Sequence, residues 1–179
     1  MKKRTTSEMH RLTIDEFRQA PKTPMVVVLD NVRSLHNIGA VFRTADAFRI
    51  EQVILCGISA CPPNQEIHKT ALGAEESVRW TYYPHTLEVL QDLRKEGYTI
   101  YAVEQAHDSI NLTDWHLKDH SNIQKTAIVL GHEVFGVSQD VVDAADGCIE
   151  IPQYGTKHSL NVSVAAGIVM YELTQSLRP

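Results

Sequence analysis

Three short segments of the sequence combine polar side chains with glycines, and they hold the residues best suited to bind a ligand or act on it. They span residues 31–45, 130–136 and 151–172. Each is a weak signal alone, because a glycine between a strand and a helix usually serves only the geometry of the turn. Together they place five polar residues near the predicted ends of strands: Asn37, Arg43, Glu133, Ser159 and Asn161.

Motifs for several other chemistries are absent from the sequence. It contains no G-x-x-x-x-G-K-[ST] loop and no G-x-G-x-x-G after a predicted strand, the two glycine patterns that cradle nucleotide phosphates. A serine hydrolase of the G-x-S-x-G type is excluded in the same way. His132 and Glu133 begin a zinc-protease pattern, but Gly136 stands where its second histidine belongs. The nine histidines lack ligand spacing, so we predict no metal site.

Apolar runs predict the strands that position the three segments. Continuous runs rich in β-branched residues indicate strands buried on both faces, as in parallel sheets. We predict strands at 25–30, 52–56, 78–82, 99–104, 127–130 and 148–151, and a weak strand or turn at 109–112. Ligands of such sheets bind at the carboxyl ends of strands, so the candidate turns follow Asp30, Glu104, Leu130 and Ile151.

Helical patterns separate most of these strands. Thr13 and Glu16 have capping-box spacing, and we take Asn37, Ser138 and Ser159 as N-caps of later helices. The predicted helices span 14–20, 38–48, 86–96, 139–144 and 160–171. Residues 57–76 are irregular and either serve a function or hide a short helix. The alternation predicts an α/β fold with a mainly parallel sheet flanked by helices.

Two helices carry surfaces that require a second packing partner. The helix at 160–171 is apolar on nearly all sides, so its own sheet cannot cover it. On the helix at 38–48, Arg43 points away from the apolar stripe and has the small neighbours Gly39, Ala40 and Ala47. Small residues around an arginine indicate that another surface approaches it closely, although an arginine exposed on a helix is also ordinary.

The composition fits a single globular domain of 179 residues, which we divide into a short basic extension at 1–24 and one domain at 25–179. A net charge of −5 argues mildly against nucleic-acid binding. Residues 1–24 nevertheless carry six basic and three acidic side chains. This arm therefore either reaches phosphates or forms a solvated tail.

Cysteine usage and hydropathy predict a cytoplasmic protein. Cys56, Cys61 and Cys148 form no C-x-x-C pair, and an odd count without pairing is typical of a reducing compartment. The first residues carry positive charge without an apolar run behind it, which is unlike a signal peptide. No apolar segment is long enough to span a bilayer, and we expect no membrane partner.

The three glycine segments resemble the motifs of a known family. N-x-G-x-x-x-R-T-A from Asn37, G-x-E-x-x-G from Gly131 and I-P-x-x-G-x-x-x-S-L-N-V-S-V-A-A-G from Ile151 look like the three motifs of the SpoU (TrmH-like) RNA 2′-O-ribose methyltransferases, in the family's order. The resemblance implies a SPOUT-type fold with a deep C-terminal trefoil knot. It also implies bound S-adenosylmethionine, an RNA substrate and a homodimer formed through the C-terminal helix.

The resemblance assigns roles to individual residues. Arg43 matches the family's catalytic arginine, with Asn37 beside it and with Glu133, Ser159 and Asn161 as the surrounding polar groups. The cofactor pocket would use the main chain of Gly131, Ile151 and Leu160, together with Ser159. It would be lined by Val103 or Glu104 and shaped by Gly136 and Gly155. One departure is Gln153-Tyr154, because a methionine often follows the Ile-Pro pair in this family.

These matches predict an S-adenosylmethionine-dependent RNA ribose 2′-O-methyltransferase that acts on tRNA or rRNA. One alternative is a catalytically silent RNA-binding protein that keeps the same fold; the intact Arg43, Glu133 and Asn161 argue against it. A second alternative is a small nucleotide-binding oxidoreductase, against which the missing phosphate loop argues. For Glu133 and Ser159, a purely structural role as a turn brace and a helix cap is also open.

Overall fold

A single parallel sheet forms the centre of the molecule. In the computed structural model, which describes residues 1–5, 7–117 and 125–177, the strands are β1 (Thr23–Asp30), β2 (Ile50–Cys56), β3 (Trp80–Tyr83), β4 (Thr99–Val103), β5 (Ile110–Asn111), β6 (Thr126–Leu130) and β7 (Gly147–Glu150). Their order is β3-β2-β1-β6-β4-β7-β5, and every neighbouring pair is parallel. The predicted α/β fold with a mainly parallel sheet is confirmed.

Helices cover both faces of this sheet. Their bounds are α1 (Ile14–Gln19), α2 (Leu35–Ala47), α3 (Gln65–Ala71), α4 (Ala74–Ser77), α5 (Thr86–Lys95), α6 (Gln139–Ala144) and α7 (Val162–Leu177), with 3₁₀ turns at Ser7–Met9 and Leu112–Leu117. The irregular stretch at 57–76 therefore hides two short helices, α3 and α4.

The central strand β1 shows why the sheet is buried on both sides. Met25, Val27 and Leu29 point into one apolar cluster, which also contains the inward faces of α2 and α7. Val26 and Val28 point into the other, which contains apolar side chains of α5 and α6. Alternate residues of an extended chain face opposite sides, so a continuous branched run is what two covered faces require.

The N-terminal capping box is confirmed, and α1 joins the core. The Thr13 amide donates to Glu16 Oε2 at 2.7 Å, and the Glu16 amide donates to Thr13 Oγ1 at 3.3 Å. Phe17 of α1 is only 4% exposed and lies in the same cluster as α2 and α7. The division of the chain at residue 24 stays a prediction.

Two predicted helix starts are wrong. α2 begins at Leu35, and Ser34 rather than Asn37 caps it, accepting from the Asn37 amide at 3.3 Å. α7 begins at Val162, and Asn161 rather than Ser159 accepts from its first amides, those of Ser163 at 3.0 Å and Val164 at 3.4 Å. Serine and asparagine cap helices about equally well, so residue type alone could not choose between neighbours.

The outer face of α7 is apolar and open to solvent. Val162, Ala166, Val169, Met170 and Leu173 are buried against the sheet side. On the other side Val164, Ile168 and Tyr171 are 50%, 38% and 55% exposed; we call these three residues the α7 stripe. The helix is thus apolar on two sides, as predicted, and the described part of the chain covers only one of these two sides. The trefoil knot that the resemblance implies stays a prediction.

Candidate active site

A cavity of about 950 Å³ lies beyond the carboxyl ends of β4, β6 and β7. These strands are neighbours in the sheet, so the turns that follow them meet at one edge. Its volume suits a cofactor-sized ligand. The sequence predicts eight residues around the cofactor, and Gly155 is the one among them that does not line this cavity. The other seven do: Val103, Glu104, Gly131, Gly136, Ile151, Ser159 and Leu160.

Two glycines allow the turn at residues 131–136 to fold tightly beside this cavity. A Cβ on Gly131 would lie 2.1 Å from the carbonyl carbon of Gly136, so no other side chain fits there without moving the backbone. Gly136 has a φ of +69°, which favours glycine, and a Cβ on it would lie 2.1 Å from Glu104 Oε2. The same Glu104 oxygen accepts the Val137 amide at 3.1 Å, so Glu104 braces the turn from β4.

Glu133 connects the second glycine segment to the first. Its Oε2 accepts the Arg33 amide at 3.0 Å, and its Oε1 accepts the Ser34 amide at 2.8 Å and Asn37 Nδ2 at 3.0 Å. Burial alone would raise the pKa of the Glu133 carboxyl, but these hydrogen bonds outweigh it and hold the pKa below its ordinary value. Both carboxylate oxygens are engaged, which favours a positioning role over direct contact with a substrate.

Asn37 and Asn161 extend this connection to the third segment. Asn37 Oδ1 accepts from Asn161 Nδ2 at 3.1 Å and from Ser163 Oγ at 3.5 Å. Asn161 Oδ1 in turn accepts from Ser163 Oγ at 2.7 Å. Residues from all three segments thus form one hydrogen-bonded chain, although they lie far apart in sequence.

Arg43 stands apart from the other predicted site residues. It is exposed on α2 and does not line the cavity. No hydrogen bond or ion pair engages its guanidinium within the part of the chain that the structure describes. Of its predicted small neighbours, Gly39 is buried, because α3 crosses it so closely that a Cβ would lie 2.1 Å from Thr70 Oγ1. The close approach predicted from these small residues therefore comes, at Gly39, from α3 of the same chain.

Several residues that shape the site were missed from sequence. Gln105 Nε2 donates to the His158 carbonyl oxygen at 2.6 Å and ties the loop after β7 to the turn after β4. His132 Nδ1 accepts the Val134 amide at 3.0 Å inside the second glycine segment. The His158 contact uses a main-chain oxygen, which any residue could supply, and a single His132 without ligand spacing carries no signal of its own contact.

Buried Asp30 fixes the carboxyl end of β1. One carboxylate oxygen accepts from Thr86 Oγ1 at 2.5 Å, and the other accepts from the Ser138 amide at 3.4 Å. The carboxylate thereby joins the starts of α5 and α6 to the central strand. Its place at a predicted strand end was clear from sequence, but its partners come from segments 56 and 108 residues away.

A parallel sheet with a glycine-framed cavity beyond the carboxyl ends of its strands defines an α/β ligand-binding protein. Residues 24–171 match the SpoU rRNA Methylase family, and the chain belongs to that family. The family that the three glycine segments predicted is confirmed.

Relatives of this chain carry names that describe RNA methylation. It is 32% identical to the tRNA (guanosine(18)-2'-O)-methyltransferase of Thermus thermophilus over 169 residues. These residues cover 94% of this chain and 84% of that protein. It is 31% identical to the 23S rRNA (guanosine-2'-O-)-methyltransferase RlmB of Neisseria meningitidis over 166 residues. These residues cover 93% of this chain and 64% of that protein.

Solved structures show the same architecture. The TrmH/SpoU tRNA modifying enzyme of A. aeolicus is 29% identical with a TM-score of 0.76, over 90% of this chain and 81% of that one. An AdoMet-bound rRNA methyltransferase from Sinorhizobium meliloti is 26% identical with a TM-score of 0.78, over 91% of this chain and 61% of that one.

Within 1–5, 7–117 and 125–177, no cluster of three or more His, Cys, Asp or Glu side chains is placed to hold a metal ion. Over the same ranges, none of the helices has the length and apolar character needed to cross a membrane.

Proposed function

We propose that this protein transfers a methyl group from S-adenosylmethionine to a ribose 2′-hydroxyl of tRNA or rRNA. The observation that carries the proposal is the hydrogen-bonded chain from Glu133 through Asn37 to Asn161, which assembles all three family motifs beside the cavity. The names of the Thermus thermophilus and Neisseria meningitidis relatives support the reaction. The AdoMet-bound relative from Sinorhizobium meliloti supports the cofactor.

The residues around the cavity fit this cofactor. Main-chain groups of Gly131, Ile151 and Leu160 would bind it, with Ser159 offering a hydroxyl and Val103 and Glu104 on the side of β4. Gly136 keeps the neighbouring turn tight, whereas Gly155 does not line the cavity and a Cβ on it would meet no atom within 4 Å. When bound, S-adenosylmethionine supplies an electrophilic methyl group, so the protein's own task is to position the ribose and help its hydroxyl lose a proton.

Arg43 is the group we assign to the ribose hydroxyl. A guanidinium stays protonated in proteins, so it cannot act as the general base. It can instead donate hydrogen bonds to the oxygen as negative charge develops there, which lowers the barrier, while a phosphate oxygen of the RNA takes the proton. Asn37, Glu133 and Asn161 then act as positioning residues, since their polar groups bond mainly to one another and to the start of α2.

The protein acts as a homodimer through α7, and Arg43 serves the cavity of the partner subunit. Support comes from the exposed α7 stripe and from the place of Arg43 outside its own cavity. α2 and α7 pack side by side, since the Phe48 and Tyr171 rings lie 5.9 Å apart. A copy that covers the stripe therefore also approaches the helix that carries Arg43.

The three thiols support a cytoplasmic location. Cys56, Cys61 and Cys148 are all free in the structure. Burial raises the pKa of the Cys56 thiol to about 12, so it stays protonated and unreactive at neutral pH.

Two measurements test the proposal. Calorimetry of the purified protein should show one S-adenosylmethionine bound per chain and no binding of NADH. Mixing an Arg43→Ala variant with an Ala165→Phe variant, whose ring would occupy part of the cavity and block the cofactor, should then restore RNA methylation. A random mixture of dimers gives about a quarter of wild-type activity, because half the dimers are mixed and each has one intact site. Binding of NADH without binding of S-adenosylmethionine would contradict the proposed cofactor. A mixture as inactive as its two components would contradict the role of Arg43 in the partner's cavity.

A further inference from the structure

The turn at residues 132–136 holds an aromatic ring in solvent at the rim of the cavity. Phe135 lines the cavity, yet its side chain is 83% exposed. A phenylalanine left in water forgoes the stabilisation that burial would give it. Its neighbour Val134 is 72% exposed as well, so neither side chain at this tip is packed into the core.

The ring stands on a rigid support. The amide of His132 donates to the Gly136 carbonyl at 3.0 Å, and the amide of Gly136 donates back to the His132 carbonyl at 2.8 Å. The His132 ring is fixed by the Val134 amide and lies 4.9 Å from the Phe135 ring, at an angle of 35°. Glu133 anchors the same turn to α2. The backbone that carries Phe135 is therefore fixed before any ligand arrives, and the His132 ring packs against one side of the Phe135 ring.

We propose that Phe135 is the platform on which the base of the target nucleotide stacks. The inference rests on the proposed function, because it concerns the RNA that enters the same site. In a nucleotide the base is attached to the ribose carbon next to the one that bears the 2′-hydroxyl. When that hydroxyl reaches into the cavity, the base must therefore lie at its rim, where Phe135 stands. Unpaired bases in RNA are bound by stacking on aromatic side chains, whatever their hydrogen-bonding edges.

The matched variants Phe135→Leu and Phe135→Trp separate stacking from simple apolar contact. The substrate is RNA purified from cells that lack this protein, and the measured quantities are kcat and KM for RNA. Stacking of one base contributes about 1–3 kcal/mol, so the leucine variant should lose about 5- to 150-fold in kcat/KM. The tryptophan variant should keep wild-type kcat/KM. Tyr154→Leu removes a ring that is 94% exposed but does not line the cavity, and it should also behave as wild type.

Calorimetry with S-adenosylmethionine and sedimentation of each variant show whether another group, the cofactor or the partner subunit, packs against the Phe135 ring. Both should be unchanged in Phe135→Leu. A loss of cofactor affinity as large as the loss in kcat/KM would overturn the inference by placing the adenine of the cofactor on the Phe135 ring. A change in subunit association would overturn it by placing the partner subunit on that ring. Equal activity of the leucine and tryptophan variants, or an equal loss in Tyr154→Leu, would overturn it too. A wild-type protein that binds the cofactor but methylates no RNA would instead overturn the proposed function.

Discussion

Glu133 illustrates how a single side chain assembles this site. Its carboxylate belongs to the second glycine segment, yet the three groups that donate to it all lie at the start of α2. Sequence showed that Glu133 is polar and close to a strand end. It could not choose between a turn brace and a substrate contact, because its partners lie about 100 residues away. The observed contacts favour the brace.

Removing this brace should destabilise the fold. Glu133→Ala leaves the Arg33 amide, the Ser34 amide and Asn37 Nδ2 without their acceptor. These hydrogen bonds are part-buried at Ser34 and Asn37 and exposed at Arg33, so their loss costs about 0.5–1.5 kcal/mol. We expect a decrease of that size in the free energy of unfolding, measured with urea. An unchanged midpoint would show that water replaces the carboxylate at no cost.

The charge of Glu133 predicts a pH dependence that Glu133→Gln should isolate. Hydrogen bonds hold the folded-state pKa of this carboxyl below its ordinary value of 4.5. The ionised carboxylate therefore stabilises the folded protein fully above pH 4.5, and this contribution is lost as the pH falls through the folded-state pKa. The difference in unfolding free energy between wild type and Glu133→Gln should be constant near neutral pH and shrink below pH 4.5. A difference that grows on acidification would contradict the assignment.

At the scale of elements, strands were easier to predict than helix starts. Continuous runs of apolar, β-branched residues predict β1, β2 and β6, because such runs are typical of strands in a sheet that is covered on both faces. α2 and α7 begin two or three residues from their predicted starts, because several adjacent residues could cap each helix. The consequence is functional. With Ser34 capping α2, the Asn37 side chain is free to bond to Glu133 and Asn161.

The contact between α2 and α3 depends on a missing side chain. A Cβ on Gly39 would lie 2.3 Å from the Ile67 carbonyl oxygen, so Gly39→Ala must push α3 away. Such overpacking costs about 1–3 kcal/mol, and we expect a lower melting temperature. Gly167→Ala is the matched control, because its Cβ would meet only Thr44 Cγ2 at 3.9 Å. Alanine in a helix interior is more favourable than glycine, so this control should melt at the same temperature as wild type or higher.

The α7 stripe gives the element-scale test of the dimer. Ile168→Asp places a charge in the middle of an apolar surface that is 38% to 55% exposed in the single chain. Burying an unpaired charge is costly, so the variant should sediment as a monomer and lose RNA methylation. Ser176→Asp adds the same charge at an exposed position outside the stripe and should remain associated. A wild-type chain that sediments as a monomer would contradict the homodimer.

At the scale of the whole molecule, the fold class could be predicted from periodicity and the family from motifs. The strand order and the meeting of the three glycine segments could not be predicted from periodicity, because they depend on long-range packing. The cavity is a further example. Its residues come from the turns after three neighbouring strands, of which β6 follows β5 in sequence but lies between β1 and β4 in the sheet. Nothing in the composition of a turn shows which other turns it will meet.

The most direct test is a map of ribose methylation in RNA from cells that lack this protein, made before and after incubation with the purified protein and S-adenosylmethionine. We predict that at least one nucleotide of tRNA or rRNA is unmethylated at its 2′-hydroxyl before incubation. Wild-type protein should methylate it, whereas Arg43→Ala should bind S-adenosylmethionine with unchanged affinity and leave the nucleotide unmodified. A map that is the same before and after incubation, or methyl groups found only on bases, would contradict the proposed reaction.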